Sequence, residues 1–417
     1  MSKLSVYAVA LASIATAFHL SAATPEALMN AALVPEADAY FYSNDAKVYA
    51  SAITKPIEEF GTKLAKLIQD ADSATPKVNL QALEDTLKRL GLANENIEAS
   101  ALSAMYVKLV EKGVKQFQED LDEKFSTDEM SALFAVAFKK PVTKENLNQI
   151  IPEIKKLLPA DADLDEVLEH LAISGFKHGD ATGYTFAVKV DEEDFEDMPF
   201  VKPPVFVLAI CAEGKVILLG FERDVKTALD RANAGTKAEP SAALKKLLDS
   251  TLANKPFAQY DCYGAFVVPQ AFRDQMVKLE KQMADNSYLP PGVMPGIKAA
   301  TVLQGMRFAQ TCADKLDFAI NFVLDTPDSA TTLKDVLQIN VLNMAKMGLF
   351  QLTGKNLAFA ESLNATADAN STSMNFAITV ADLNFAHEFI EKKIKEPRAA
   401  PLFIDEDWDD DEEWDDE

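Results

Sequence analysis

The chain has 417 residues, of which 48% are hydrophobic, enough apolar side chain to build a sizeable core and too much for an intrinsically disordered protein. Its 65 acidic against 41 basic residues give a formal charge of −24, which argues against nucleic acid or an anionic lipid surface as a partner, because both are bound through Lys and Arg. The three cysteines, Cys211, Cys262 and Cys312, are too few for a disulfide scaffold and odd in number, so at least one thiol has no partner within the chain.

The first 23 residues, MSKLSVYAVALASIATAFHLSAA, place Lys3 before an apolar run from Leu4 to Phe18 and end in small residues at Ser21, Ala22 and Ala23. That order predicts a secretory signal cleaved near Thr24. The run is shorter than the roughly 20 residues a bilayer crossing needs, and no later stretch reaches that length, so no transmembrane segment is expected after cleavage. Next, VPEADAYFYSNDAKVYASAI reads as an opening strand running into a helix. Ile57, Phe60, Leu64, Leu67 and Ile68 mark the apolar face of one helix; Leu80, Leu83, Leu87 and Leu90 mark another, with Gly91 placed to close it. From Pro204 to Phe221, PVFVLAICAEGKVILLGF predicts two strands joined at Glu213-Gly214, with TGYTFAVKV before them as a third. ERDVKTALDRANAG and SAALKKLLDSTL predict helices, AQYDCYGAFVV a fresh strand, and the Pro-rich stretch from Asn286 to Gly296 a loop. Thr326-Pro327 has the form of a helix start, and Gly348 is the expected stop.

Four segments share a pattern: Phe134 to Phe138, Phe186 to Val190, Phe318 to Phe322 and Phe376 to Val380. Each begins Phe-Ala and lines one strand face with apolar residues at alternate positions. Three of them lead through a polar turn into a helix, which suggests a repeated unit. The expected fold class is α+β, with antiparallel sheets, helices packed on one face, and two related domains. The divisions are a signal at 1–23, an N-terminal domain at 24–252, a C-terminal domain at 253–398 and an acidic tail at 399–417. The order of VPEADAYFYSNDAKVYASAI, the central meander with KVILLGFERDVKTALDRANAG, and LDFAINFVLDTPDSATTLKDVLQ resembles a loose group of uncharacterised secreted bacterial proteins. That resemblance implies a signal peptide and duplicated α+β units, and carries over no catalytic residue.

No local signature of catalysis stands up. GLFQLTGKN at 348–356 has one residue too many between its glycines for a phosphate loop and Asn356 in place of the hydroxyl. His387 and Glu391 lie one helical turn apart but lack the second histidine of a zinc site, and His170 and His178 have no evident third ligand. Asp161, Asp163 and Asp165 alternate like a calcium loop, yet Glu166 stands where the turn needs glycine and Ala172 where a bidentate glutamate belongs. Asn364 and Asn370 each begin an N-glycosylation acceptor pattern in what reads as a loop. No catalytic, cofactor or metal residue is therefore assigned.

The tail is the anomaly. Residues 405–417, DEDWDDDEEWDDE, hold eleven carboxylates and both tryptophans of the chain. Trp408 and Trp414, with Asp409, Asp410 and Asp411, form the expected docking element for a basic protein partner: the indoles anchor and the carboxylates steer. The expectation is an exported, non-enzymatic protein of binding or structural role. Two alternatives are a hydrolase whose carboxylates assemble from distant residues and a carrier of a lipid or other apolar ligand.

Overall fold

A computed structural model of the chain describes residues 33–71, 80–119, 124–157, 169–189, 201–234, 236, 238–252, 255–284 and 292–395. The expected signal at 1–23 and the acidic tail at 399–417 lie outside these residues. The strands are β1 (Ala39–Ser43), β2 (Ile97–Met105), β3 (Ser131–Phe138), β4 (Leu171–His178), β5 (Ala181–Val188), β6 (Val205–Cys211), β7 (Val216–Phe221), β8 (Thr251–Leu252), β9 (Lys255–Pro256), β10 (Cys262–Val267), β11 (Gly305–Cys312), β12 (Lys315–Val323), β13 (Asn364–Asp368) and β14 (Ser371–Thr379). The described helices are α1 (Asp45–Ala50), α2 (Thr54–Ala71), α3 (Leu80–Arg89), α4 (Val107–Glu119), α5 (Lys144–Asn148), α6 (Ile150–Leu157), α7 (Glu222–Ala234), α8 (Ala242–Leu248), α9 (Gln270–Met283), α10 (Val293–Thr301), α11 (Pro327–Val336), α12 (Asn343–Thr353), α13 (Ala358–Ser362) and α14 (Val380–Lys395).

Twelve strands form one sheet in the order β13-β14-β12-β11-β10-β1-β2-β3-β7-β6-β5-β4, and β8 with β9 form a separate pair. Neighbours in the large sheet run antiparallel. The fold is α+β, as the alternation of strand and helix patterns implies. β1 sits between β2 and β10, so the first described strand joins sheet segments made early and late in the chain. Outward from it the two sides follow one plan. On one side β3 is followed by helices and by the meander β4 to β7, whose last strand returns beside β3. On the other β12 is followed by helices and by the hairpin β13-β14, whose last strand returns beside β12.

All four Phe-Ala segments begin inside strands, in β3, β5, β12 and β14. Phe318 and Phe376 are register partners, and their rings stack with centroids 4.9 Å apart. Cross-strand aromatic pairs of this kind fix register as well as bury area. A similar device holds the centre. Gly264 of β10 lies in register between Phe41 of β1 and Phe308 of β11, and those two rings stack across it at 5.2 Å.

The layer of helices expected on one face is joined by a second layer on the other. Val225, Ala228 and Leu229 of α7 and Leu244 and Leu247 of α8 pack with Ala99, Ala101, Leu133, Ala135, Val207 and Ala209. Across the sheet, Leu90, Leu92, Leu147 and Ile150 pack with Val136, Phe138, Leu208 and Ile210. The alternation along β3 and β6 supplies both sets, as a strand covered on both faces requires. An irregularity in β2 between Ile97 and Ala99 breaks the alternation, so Ile97 joins the second cluster and Ala99 the first.

Local punctuation is mostly as read. Gly91 closes α3 with a positive φ of 71°. The β6-β7 turn carries positive φ at Ala212, Glu213 and Gly214, and Thr326 caps α11 by accepting from the Ser329 amide at 3.2 Å. Two expectations are corrected. The helix expected to stop at Gly348 runs on to Thr353 and ends at Gly354, whose φ of 67° supplies the left-handed closing residue. An interior glycine weakens a helix without ending it when the flanking residues favour helix. The Pro-rich stretch is also helical from Val293, with Pro295 in the first turn, where its missing N–H costs nothing.

Candidate apolar binding groove

After α11, residues Leu337–Leu342 form a π-helical segment that leads directly into α12. Such segments are rare and shift the phase of the side chains that follow. Residues 337–352, LQINVLNMAKMGLFQL, contain one charged side chain and apolar residues at nearly every angle around the axis. A helix of that composition is ordinarily enclosed on all sides. Here it is not: Ile339, Val341, Met344, Met347, Phe350 and Leu352 are exposed, with 68% of Leu352 open to solvent. They are half of the large exposed hydrophobics among the described residues. A concentration of this kind on one element marks an interaction or ligand surface.

Beside α12 lies a cavity of about 320 Å³ bounded by α12, α13, β14 and α14. Its walls are Leu349, Leu352, Leu357, Phe359, Ile378, Leu383, Phe385, Ala386, Phe389 and Ile390, with Thr353 and Asp382 as the polar members. Both of those are engaged elsewhere. Thr353 Oγ1 donates to Leu349 O at 2.6 Å. Asp382 Oδ1 accepts from the Phe359 amide at 3.0 Å, and Oδ2 accepts from Thr379 N and Oγ1 at 2.9 and 2.5 Å. The carboxylate thus caps α14 and ties α13 to it, and the groove behind is left without an unsatisfied polar wall. At its rim, Lys355 Nζ lies 5.2 Å from the centroid of Phe385.

No family model matches this chain, and a search of curated proteins gives no match. Among solved structures, TP0453 in crystal form I is similar over 89% of this chain and 98% of its own, with 8% identity and a TM-score of 0.32. Crystal form III of TP0453 covers 89% of this chain and 99% of its own, with 10% identity and a TM-score of 0.36.

Trp408, Trp414, Asp409, Asp410 and Asp411 lie outside the described residues, as do Asp161, Asp163 and Asp165. His387 Nδ1 lies 4.0 Å from Glu391 Oε2 on α14, and His178 Nε2 meets Asp230 Oδ1 at 2.7 Å. Among the described residues no group of three His, Cys, Asp or Glu could hold a metal ion. Nor is any described helix long and apolar enough to cross a membrane. Asn364 begins β13 and Asn370 sits in the β13-β14 turn, so the stretch read as a loop is a hairpin. Cys211, Cys262 and Cys312 are free thiols. Burial pushes Cys211 and Cys262 up to about 12, the latter in spite of a hydrogen bond with the Ser43 hydroxyl, so neither is poised as a nucleophile.

A second cavity, of about 390 Å³, lies over β11, β12 and β14 beside Tyr260, Thr311, Asn364 and Asn375. Its charged residues, Lys315 and Asp317, hold each other at 2.8 Å. The α12-α14 groove combines apolar walls with an exposed apolar flank, and it is the stronger site. The nearly uncharged run at 337–352 was its available signal in the sequence; periodicity reads such a run as core and cannot say that part of it stays uncovered.

Proposed function

We propose that this is an exported, non-enzymatic binding protein that holds an apolar ligand in the groove between α12 and α14. The carrying observation is the groove itself: about 320 Å³, walled by leucine, isoleucine and phenylalanine, with its two polar residues turned to the backbone and their own helix cap. Binding sites of this size and composition suit small apolar molecules, which gain by leaving water and ask for no hydrogen bonds in return. Export rests on the signal-like residues 1–23.

The test uses the full mature chain and the neutral fluorophore N-phenyl-1-naphthylamine. Binding should raise its emission saturably. Ala386→Phe, which adds a ring to the groove wall, should weaken binding about tenfold or more while leaving the circular dichroism unchanged, since tenfold corresponds to about 1.4 kcal/mol of lost contact. Absence of saturable binding, or equal binding by the variant, would reject the reading.

A further inference from the structure

We infer that the ligand of this groove is a single-chain amphiphile with an anionic headgroup, its chain lying between α12 and α14 and its headgroup meeting Lys355. The inference rests on the binding role proposed above and specifies the ligand class.

Three observations lead to it. The cavity volume of about 320 Å³ stands at the lower end of the roughly 300–1,000 Å³ of small-molecule sites, which suits a single chain. Inside, Thr353 and Asp382 have their hydrogen bonds made within the protein, so a polar group drawn inside would find no partner and would lose its hydration. The polar end of a ligand therefore belongs at the rim.

The rim is where charge decides. Lys355 Nζ is held 5.2 Å over the ring of Phe385, itself a wall of the groove, and among the described residues no carboxylate lies within ion-pair distance of it. In a chain with a formal charge of −24, a lysine that faces an aromatic wall of the groove and no carboxylate offers an anion a partner. The ring face favours the ammonium without neutralising it, and a headgroup anion would gain a charge-assisted hydrogen bond beside the mouth. Asp382, one helical turn from Phe385, has its carboxylate committed to the α14 cap and to the Phe359 amide, so it does not compete for Lys355. The cation beside Phe385 thus marks where an anionic headgroup is held.

The experiment displaces N-phenyl-1-naphthylamine from the full mature chain with decanoate and with decanol at neutral pH. Decanoate should act at a concentration about threefold to fivefold below decanol, the range expected of one partly exposed ion pair. Lys355→Met should abolish that difference without changing the decanol value, and Lys355→Arg should preserve it. Equal displacement by both compounds, or a preference that survives Lys355→Met, overturns the inference and leaves the groove reading standing. Failure of the fluorophore to bind at all removes the groove reading and the inference with it. Co-sedimentation with phosphatidylglycerol vesicles in a Lys355-dependent manner, without decanoate displacement, would replace the free amphiphile by a membrane surface and equally overturn the proposal.

Discussion

The rings of Phe41 and Phe308 stack over Gly264, which stands between them in the sheet with no side chain of its own. A Cβ at that position would come within 2.2 Å of Phe41 Cδ1 and 2.3 Å of the Phe308 ring. The two phenylalanines fill the space the glycine leaves, so the three residues act as one packing unit at the centre of the sheet. Gly264→Ala should cost about 2 kcal/mol or more, as overpacked cores do. The measurement is the urea midpoint at unchanged slope; an unshifted midpoint would mean that the rings do not cover this backbone.

Arg307 offers a second test. It is nearly buried on β11, where its Nε and Nη2 donate to Asn321 Oδ1 at 2.9 and 2.6 Å, its Nη1 reaches Ser250 Oγ and Thr251 O, and its guanidinium lies over the Phe257 ring. Asn321 in turn donates to Ser373 Oγ at 2.8 Å. Asn321→Leu removes the acceptor and leaves a buried cation short of partners, which should cost about 3 kcal/mol. Pairing it with Arg307→Met should recover part of that loss, because the stranded charge goes too. A double-mutant cycle in urea reads the coupling, and strict additivity would count against the network.

The exposed flank of α12 can be separated from the groove. Met344, Met347 and Phe350 face solvent and are not among the groove walls. Replacing them with Gln, Gln and Ser should change stability by less than about 0.5 kcal/mol each, as surface substitutions do. Association of the protein at high concentration, followed by light scattering, should fall. A large loss of stability would show instead that this face is covered in the isolated molecule.

Alkaline pH should unfold the protein early. Burial pushes Tyr42 up to about 12, and Cys211 and Cys262 to about 12, while Tyr40, Tyr106 and Tyr263 are raised as well, each mainly by desolvation. In the unfolded chain the thiols titrate near 9 and the phenols near 10. Between those values and about 12 the folded state holds protons that the unfolded state has released, so stability is intact below about pH 8 and falls as pH rises through this window. The urea midpoint should decline steadily from pH 9 upward. The same burial predicts slow alkylation of Cys211 and Cys262 by iodoacetamide at pH 8 in the native state and rapid alkylation in urea.

Much of this architecture was legible because local chemistry and tertiary packing agree. Thr326-Pro327 starts a helix for reasons internal to four residues, and the Glu213-Gly214 turn sits where the backbone must adopt positive φ. The Phe-Ala segments showed which strand faces are apolar, though their pattern could not reveal that Phe318 and Phe376 are neighbours. Gly348 misled because its cost within a helix is smaller than the gain from continuing the turn through Leu349 and Phe350. The groove was hidden for a different reason. Its walls come from four elements, and whether an apolar side chain is covered depends on what packs beside it and not on the residues around it in sequence.

The central position of β1 bears on how the chain reaches its native state. Ser43 pairs with Ser100 on one side and with Cys262 on the other, so one edge of this short strand waits for residues synthesised more than two hundred positions later. Until β10 arrives, β1 presents an open row of amides and carbonyls at what will become the middle of the molecule. Such distant pairing slows closure and lengthens the interval in which another chain can add to that edge. For a polypeptide delivered from its N-terminus, that edge of β1 cannot be closed by its own partner before residue 262 emerges.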